Sequence, residues 1–222
     1  MDNVIIFGTG AISRMLANAI RFDTEKKVTA FTLDRDFIVA DEFDDLPVVA
    51  FENLADRFKP DEHEILIPIA YRDINGLRMR MCERARAAGF VLANYVSSRA
   101  MVWPRMSVNE NVMIYEGVII QASVKIGRNV IIRAGANIGH DSIIDDHAFV
   151  ASSVVSGGNV HIGERCWVGL GSVIREGVTL APRTFVGAGA VVLSDTEADG
   201  VYVGNPARRL LDRSSRDVTS RQ

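Results

Sequence analysis

An α/β unit followed by a long three-sided coil of short parallel strands is the architecture expected of this 222-residue chain. Three observations carry it. A six-residue period runs unbroken from Val102 to Glu197, strand and helix signals alternate over the first ~98 residues, and a glycine-bearing turn, Gly8-Thr9-Gly10, joins the first strand to the first helix.

The period consists of sixteen six-residue units whose first residues run Val102, Val108, Ile114, Ile120, Ile126, Ile132, Ile138, Ile144, Val150, Ser156, Ile162, Val168, Ile174, Leu180, Val186 and Val192. Only Ser156 is not a branched aliphatic residue. The fifth residues begin Met106, Val112 and Val118 and become small later, as at Ala136, Ser142, Ala148, Cys166, Ser172, Thr184 and Ala190. A period of six fits no helix and no simple hairpin. It fits a prism in which each unit is one side, three units make one coil, and about five coils stack.

Before the repeat, Val4 to Phe7 reads as a buried strand, and Ile12 to Phe22 as a helix with Met15, Leu16 and Ile20 on one face. Val28 to Leu33 and Ile65 to Ala70 read as further strands, and Leu77 to Ala88 as a second helix. That alternation predicts a small parallel sheet covered by helices. The expected organisation is a Rossmann-like domain over 1–98, the coil over 99–197 and a C-terminal segment over 198–222. Pro104 marks the switch, 94–100 is the crossing, and the polar tail after Leu211 is expected to be partly disordered.

Composition narrows the function classes. With 48% apolar residues the chain can fill one large or two modest cores, and a net charge of −3 with no basic stripe argues against nucleic acid as a partner. No apolar run approaches the roughly 18 residues of a membrane span, and the start of the chain lacks a basic, cleavable leader, so a cytoplasmic protein without a membrane partner is expected. Cys82 and Cys166 read as small core residues.

The turn Gly8-Thr9-Gly10-Ala11-Ile12-Ser13 sits where a dinucleotide fold sets its phosphate-binding loop, because amides at a helix start can approach a pyrophosphate closely where no Cβ intervenes. Ser13 replaces the third glycine of that fingerprint, and a tight strand-to-helix turn is the plain alternative. Asp34, just past the second strand, is placed to bind a ribose or base. A full dinucleotide domain needs more sheet than ~98 residues supply, so a mononucleotide-sized ligand such as a nucleotide-sugar is expected and hydride chemistry is not.

From the glycine loop through the repeat to Gly204-Asn205-Pro206-Ala207, the chain resembles the bacterial hexapeptide-repeat sugar acyltransferases, which include sialic acid O-acetyltransferases and N-acetyltransferases of nucleotide-linked amino sugars. The resemblance implies a left-handed parallel β-helix, a homotrimer, and acyl-CoA lying along the groove between neighbouring coils. It also implies that Gly8, Thr9, Gly10 and Asp34 bind a nucleotide-sugar, with Ala70, Tyr71 and Arg72 closing the site. Acetyl-CoA is then a co-substrate. Alignment to the family puts Leu170 and Ala188 along the pantetheine arm and Pro206 with Arg208 or Arg209 at the CoA-contacting terminus, where an arginine meets phosphate.

The chemistry is expected at His140 and Asp141, third and fourth in their unit and so outside the two inward-facing positions. Acyl transfer from a thioester requires the acceptor to lose a proton as it attacks, and imidazole is suited to accept it near neutral pH. A neighbouring carboxylate fixes its tautomer and stabilises the cation. Exposed amides of Ser156-Gly157-Gly158-Asn159, Gly158 in particular, are placed to meet the thioester carbonyl. Where some relatives carry a second histidine nine residues after the first, this chain has Phe149, which suggests an acyl pocket lined by a ring. His147, seven residues on, is either near that pocket or a turn residue.

The expected reaction is acetylation of the amine of a nucleotide-linked amino sugar; the alternative acceptor is a hydroxyl of sialic acid or another polysaccharide sugar. A reading of another class keeps the coil as a trimeric scaffold and the first domain as a ligand sensor. A zinc site is not expected, since His140, His147 and His161 occupy places three, four and six of their units and do not stack on one face.

Overall fold

The structure, a computed structural model, describes residues 1–103 and 106–219; Pro104 lies outside them. The first unit is a six-stranded sheet of order β3-β4-β2-β1-β5-β6. Its strands are β1 (Asn3–Phe7), β2 (Lys27–Leu33), β3 (Glu42–Phe43), β4 (Leu46–Ala50), β5 (His63–Leu66) and β6 (Val91–Leu92). The pairs β1–β2, β1–β5, β2–β4 and β5–β6 are parallel, and the hairpin β3–β4, which the apolar pattern did not announce, is antiparallel. The helices are α1 (Ala11–Asp23), the short α2 (Leu54–Arg57) and α3 (Gly76–Ala87).

α1 buries Ser13, Leu16, Ala17 and Ile20. Met15, expected on that face, is 36% exposed. The stripe follows the 13, 16, 17, 20 spacing of a true 3.6-residue period, one step away from Met15.

The second unit begins at β7 (Tyr95–Val96), one side earlier than the first counted repeat. Two-residue strands then recur every six residues, from Met113–Ile114 to Val191–Val192, and each pairs in parallel with the strand eighteen residues away. Three faces result. The first carries 95–96, 113–114, 131–132, 149–150, 167–168 and 185–186; the second carries 101–102, 119–120, 137–138, 155–156, 173–174 and 191–192; the third carries 125–126, 143–144, 161–162 and 179–180. Six-residue repeats with parallel sheets fit a left-handed β-helix.

First-position side chains and the small fifth-position residues fill the prism: Ile138, Ile162, Ala136, Ser142, Ala148, Cys166 and Ala190 are all buried. The fourth residue of every unit from Asn111 to Gly189 has φ between 52° and 73°. Each corner therefore takes the left-handed conformation, which Gly, Asn and Asp tolerate best.

The two units are welded along the edge formed by Asn111, Asn129, His147 and Arg165. The amide side chain of Asn111 accepts from the Ile67 N–H at 2.9 Å and donates to the Ile67 carbonyl at 3.2 Å. Arg78 of α3 is fully buried and donates to Asn129 Oδ1 (2.9 Å), the Ile69 carbonyl (2.9 Å) and the His147 carbonyl (2.7 Å). Burial pulls its guanidinium down to about 10, which leaves it charged at neutral pH.

The described part of the tail is ordered by contacts with both units. Among the described residues after Leu211, a short helix α4 (Ser215–Thr219) folds back, with Ser215 and Thr219 buried. The Ser215 N–H donates to the Asp199 carbonyl at 3.0 Å, and the Ile74 N–H donates to Thr219 Oγ1 at 2.9 Å. Short polar side chains dock by hydrogen bonds, which an apolar-periodicity reading does not register.

Arg78→Met keeps the volume but removes the donors from several buried acceptors. It is expected to cost about 3–5 kcal/mol of stability, the range for breaking a buried ionic network. Equilibrium denaturation measures it, and a loss under ~1 kcal/mol would show that the weld contributes little.

Candidate functional site

His140 and Asp141 sit at the corner between the second and third faces. Asp141 is the fourth residue of its unit and has φ 56°, so it meets the corner's backbone requirement while its carboxylate stays at the surface. His140 Nδ1 lies 2.8 Å from Asp141 Oδ2, with the two side chains 50% and 54% exposed. The His140 N–H donates to Gln121 Oε1 at 3.1 Å. With Nδ1–H given to the carboxylate, Nε2 is left as the free base.

One coil away, Gly158 lies against the ring and is buried, and the Gly157 and Asn159 amides donate to the Ile174 and His140 carbonyls, so the amides of this segment are not the exposed set expected. A Cβ there would sit 2.5 Å from both Cε1 and Nε2 of His140, so only glycine leaves the imidazole its place. The structure thus joins His140, Asp141 and Gly158 at one edge.

The other predicted residues distribute by edge. Leu170, 59% exposed, and Ala188 stack at the corner between the first and second faces. The C-terminal loop closes the end of that edge: the Ala207 N–H donates to the Val191 carbonyl and the Val191 N–H to the Gly204 carbonyl. Pro206 and Arg208 are exposed there, and Arg208 donates to the Ala207 carbonyl at 3.0 Å.

Phe149 is not brought to His140. It is 6% exposed on the first face, stacked on Trp167 at 4.0 Å with Tyr71 at 4.7 Å from the same indole, beneath the N-terminal unit. Its place as the sixth residue of a unit points it outward, but this face is covered by the other unit.

Gly8, Thr9 and Gly10 follow β1, Asp34 follows β2, and Ala70, Tyr71 and Arg72 follow β5, so all lie at the carboxyl edge of one parallel sheet. Gly8 has φ 102°, and the Ser13 hydroxyl donates back to the Phe7 carbonyl at 3.3 Å. Gly10 stands at the start of α1, whose first turn holds no acidic residue. Asp34 is paired with Arg84 of α3 at 2.8 Å.

Of the remaining histidines, His161 pairs with Asp145 at 2.7 Å on the third face. His147 belongs to the weld: it is 8% exposed and its Nδ1 meets Asn129 Nδ2 at 2.8 Å. Among the described residues there is no group of three or more metal-ligating side chains. No helix among them is long and apolar enough to cross a membrane.

Comparison with known proteins adds chemistry to this geometry. Residues 105–140 match the family model described as bacterial transferase hexapeptide (six repeats). The fold is similar to that of perosamine N-acetyltransferase from Caulobacter crescentus, solved in complex with CoA and GDP-perosamine, at 29% identity and a TM-score of 0.85, covering 94% of this chain and 96% of that one. The acetyltransferase domain of PglB from Neisseria gonorrhoeae superposes with a TM-score of 0.85 at 24% identity, covering 95% of this chain and 100% of that domain. An acetyltransferase candidate from Schizosaccharomyces pombe is 35% identical over 57 residues, 26% of this chain and 28% of that protein.

The role of His147 can be tested through stability alone. Burial, with Arg78 adding to it, lowers its imidazole from 6.5 to about 4. The unfolded chain therefore binds a proton near pH 6.5 that the folded chain refuses until about pH 4. Stability from this group is complete above pH 6.5 and lost as the pH falls toward 4. Denaturation between those limits should show stability rising with pH, and His147→Asn, which keeps a residue tolerant of the corner conformation, should flatten that slope.

Proposed function

We propose that this chain, a member of the hexapeptide-repeat sugar acyltransferases, transfers the acetyl group of acetyl-CoA to the amine of a nucleotide-linked amino sugar, with His140 as general base. The observation that carries the reading is the His140–Asp141 pair at 2.8 Å, held at an open edge with its Nε2 side over Gly158. Its context is a fold shared with an enzyme solved with CoA and a nucleotide-sugar.

In this reaction the acceptor nitrogen attacks the thioester carbonyl while His140 Nε2 takes its proton. Asp141 holds Nδ1–H and offsets the imidazolium charge as it forms. A donor hydrogen bond from the Gly158 amide meets the oxygen of the tetrahedral intermediate. The C–S bond then breaks, and the proton passes from the imidazolium to the departing sulfur. A positioned base supplies about 10²- to 10⁴-fold, or roughly 3–5 kcal/mol of barrier.

The N-terminal sheet fits a Rossmann-like nucleotide-sugar site. Gly8, Thr9 and Gly10 offer amides at the start of α1, where the helix dipole favours phosphate, and residues 70–72 border the same edge. Leu170, Ala188 and Pro206 share an edge suited to a thin pantetheine arm.

A homotrimer is the assembly this reading requires. The second face exposes Met101 (68%), Val155 (44%) and Val173 (41%), with Trp103 (59%) and Leu193 (43%) beside them. It lies between the His140 edge and the Leu170–Ala188 edge, so packing another copy there covers apolar surface and sets the two edges of different chains together.

The test is thiol release from acetyl-CoA with a panel of nucleotide-linked amino sugars and free sugars. His140→Ala is expected to fold and to lose at least about a hundredfold in turnover. Turnover near that of the unaltered protein in this variant would remove His140 from the mechanism. Turnover confined to hydroxyl acceptors would move the reaction to O-acetylation, and no CoA binding or release with any acceptor would leave the coil a scaffold.

A further inference from the structure

Ser156 is the one polar first-position residue of the repeat, and it is only 5% exposed. Its hydroxyl does something no other first-position side chain can. On the second face, the N–H following each first position donates to the first-position carbonyl one coil on: Trp103 to Ile120, Gln121 to Ile138, Gly157 to Ile174 and Arg175 to Val192, at 2.9–3.1 Å. At the rung leading to His140 this pattern is replaced. The Gly139 N–H donates to the Ser156 hydroxyl oxygen at 3.1 Å.

The strand pairing records the same change. Between these two rungs only Asn137 and Val155 pair, whereas the other rungs of the face pair two residues each. The next two residues of the Ser156 unit pack against Gly139 and His140. A Cβ on Gly139 would lie 2.2 Å from the Gly157 carbonyl oxygen, and Gly158 lies directly against the imidazole.

We propose that Ser156 is a positioning residue for His140. By substituting its hydroxyl for a ladder carbonyl, it sets segment 156–158 at the height that seats the imidazole and aims Nε2 outward. A branched aliphatic residue would complete the apolar core and return the rung to the regular ladder. The hydroxyl gives up that packing for a local offset, and the offset falls beneath the base. The inference rests on the reading of His140 as general base.

Three variants, Ser156→Val, Ser156→Ala and Ser156→Thr, together with His140→Ala, separate the alternatives by thermal unfolding and steady-state thiol release. Ser156→Val is expected to melt at or above the temperature of the unaltered protein and yet lose about tenfold or more in kcat, with KM within about twofold and the acid limb of the pH–rate profile displaced. Ser156→Ala should lose kcat similarly without added volume, and Ser156→Thr, which keeps the hydroxyl, should recover most of it.

Near-normal kcat in Ser156→Val and Ser156→Ala, beside an inactive His140→Ala, would overturn the positioning role and leave the base reading standing. Loss of stability and kcat in step, unrelieved by threonine, would reduce Ser156 to a packing residue. An active His140→Ala would fail both readings, the base first.

Discussion

The lateral hydrogen-bond ladder of the coil is the constraint on which everything else rests. Along most of the coil, amides at the second and sixth places of a unit donate to carbonyls seventeen residues on, as in Gln121 to Ile138 and Ile119 to Ala136. The corner amide donates back, as in Asp141 to Ala122. Three units then close one coil of eighteen residues, and the residue in the fourth place of each unit must take the left-handed conformation to turn the corner. Because that period is rigid, residue number alone fixes the edge a side chain occupies. His140 and Gly158 fall on one edge, Leu170 and Ala188 on another, and Asn111, Asn129, His147 and Arg165 on the third.

The corner requirement explains how the first unit docks. Asparagine is among the residues that bear a positive φ cheaply, and at such a corner its amide faces out with both donor and acceptor free. Asn111 and Asn129 use that amide to hold Ile67 and Arg78. Arg165 donates to the Asp73 and Ile74 carbonyls, and the Asn75 side chain returns a bond to the Cys166 carbonyl at 3.1 Å. A guanidinium buried as completely as that of Arg78 is tolerable only because acceptors from both units converge on it. It therefore fixes the spacing between them more tightly than apolar contact would.

Much of this was legible in the chain. Period six gave the prism, and a histidine–aspartate pair in the third and fourth places stood out because those places face neither the core nor the strand ladder. The corner rule was also there to be read, in the run of Asn, Gly, Ser and Asp at fourth positions, and it gives Asp141 a backbone role besides its carboxylate. Phe149 shows what a one-dimensional repeat cannot carry. Unit position says a side chain points outward but not which outward face another unit covers, and the contacts that decide this, Arg78 over the Phe149 ring and Tyr71 against the Trp167 that stacks on it, come from distant sequence. Ser156 was conspicuous as an exception, yet its partner Gly139 becomes evident only when the coil is counted in eighteens.

The edge assignments also bear on why a single chain is an incomplete catalyst under the proposed reaction. The base and the Leu170–Ala188 edge are separated by the full width of the second face, and the first unit is bound at the opposite edge of the prism. An imidazole half exposed to water is screened, and its interaction with Asp141 is correspondingly weak. In the proposed assembly a second copy packed on the apolar second face would remove that water and lay a foreign edge along His140. The same step would form the cleft proposed for the donor. Under the proposed assembly, association and catalytic competence would be one event, driven by burial of the exposed Met101, Trp103, Val155, Val173 and Leu193 rather than by any group that takes part in the chemistry.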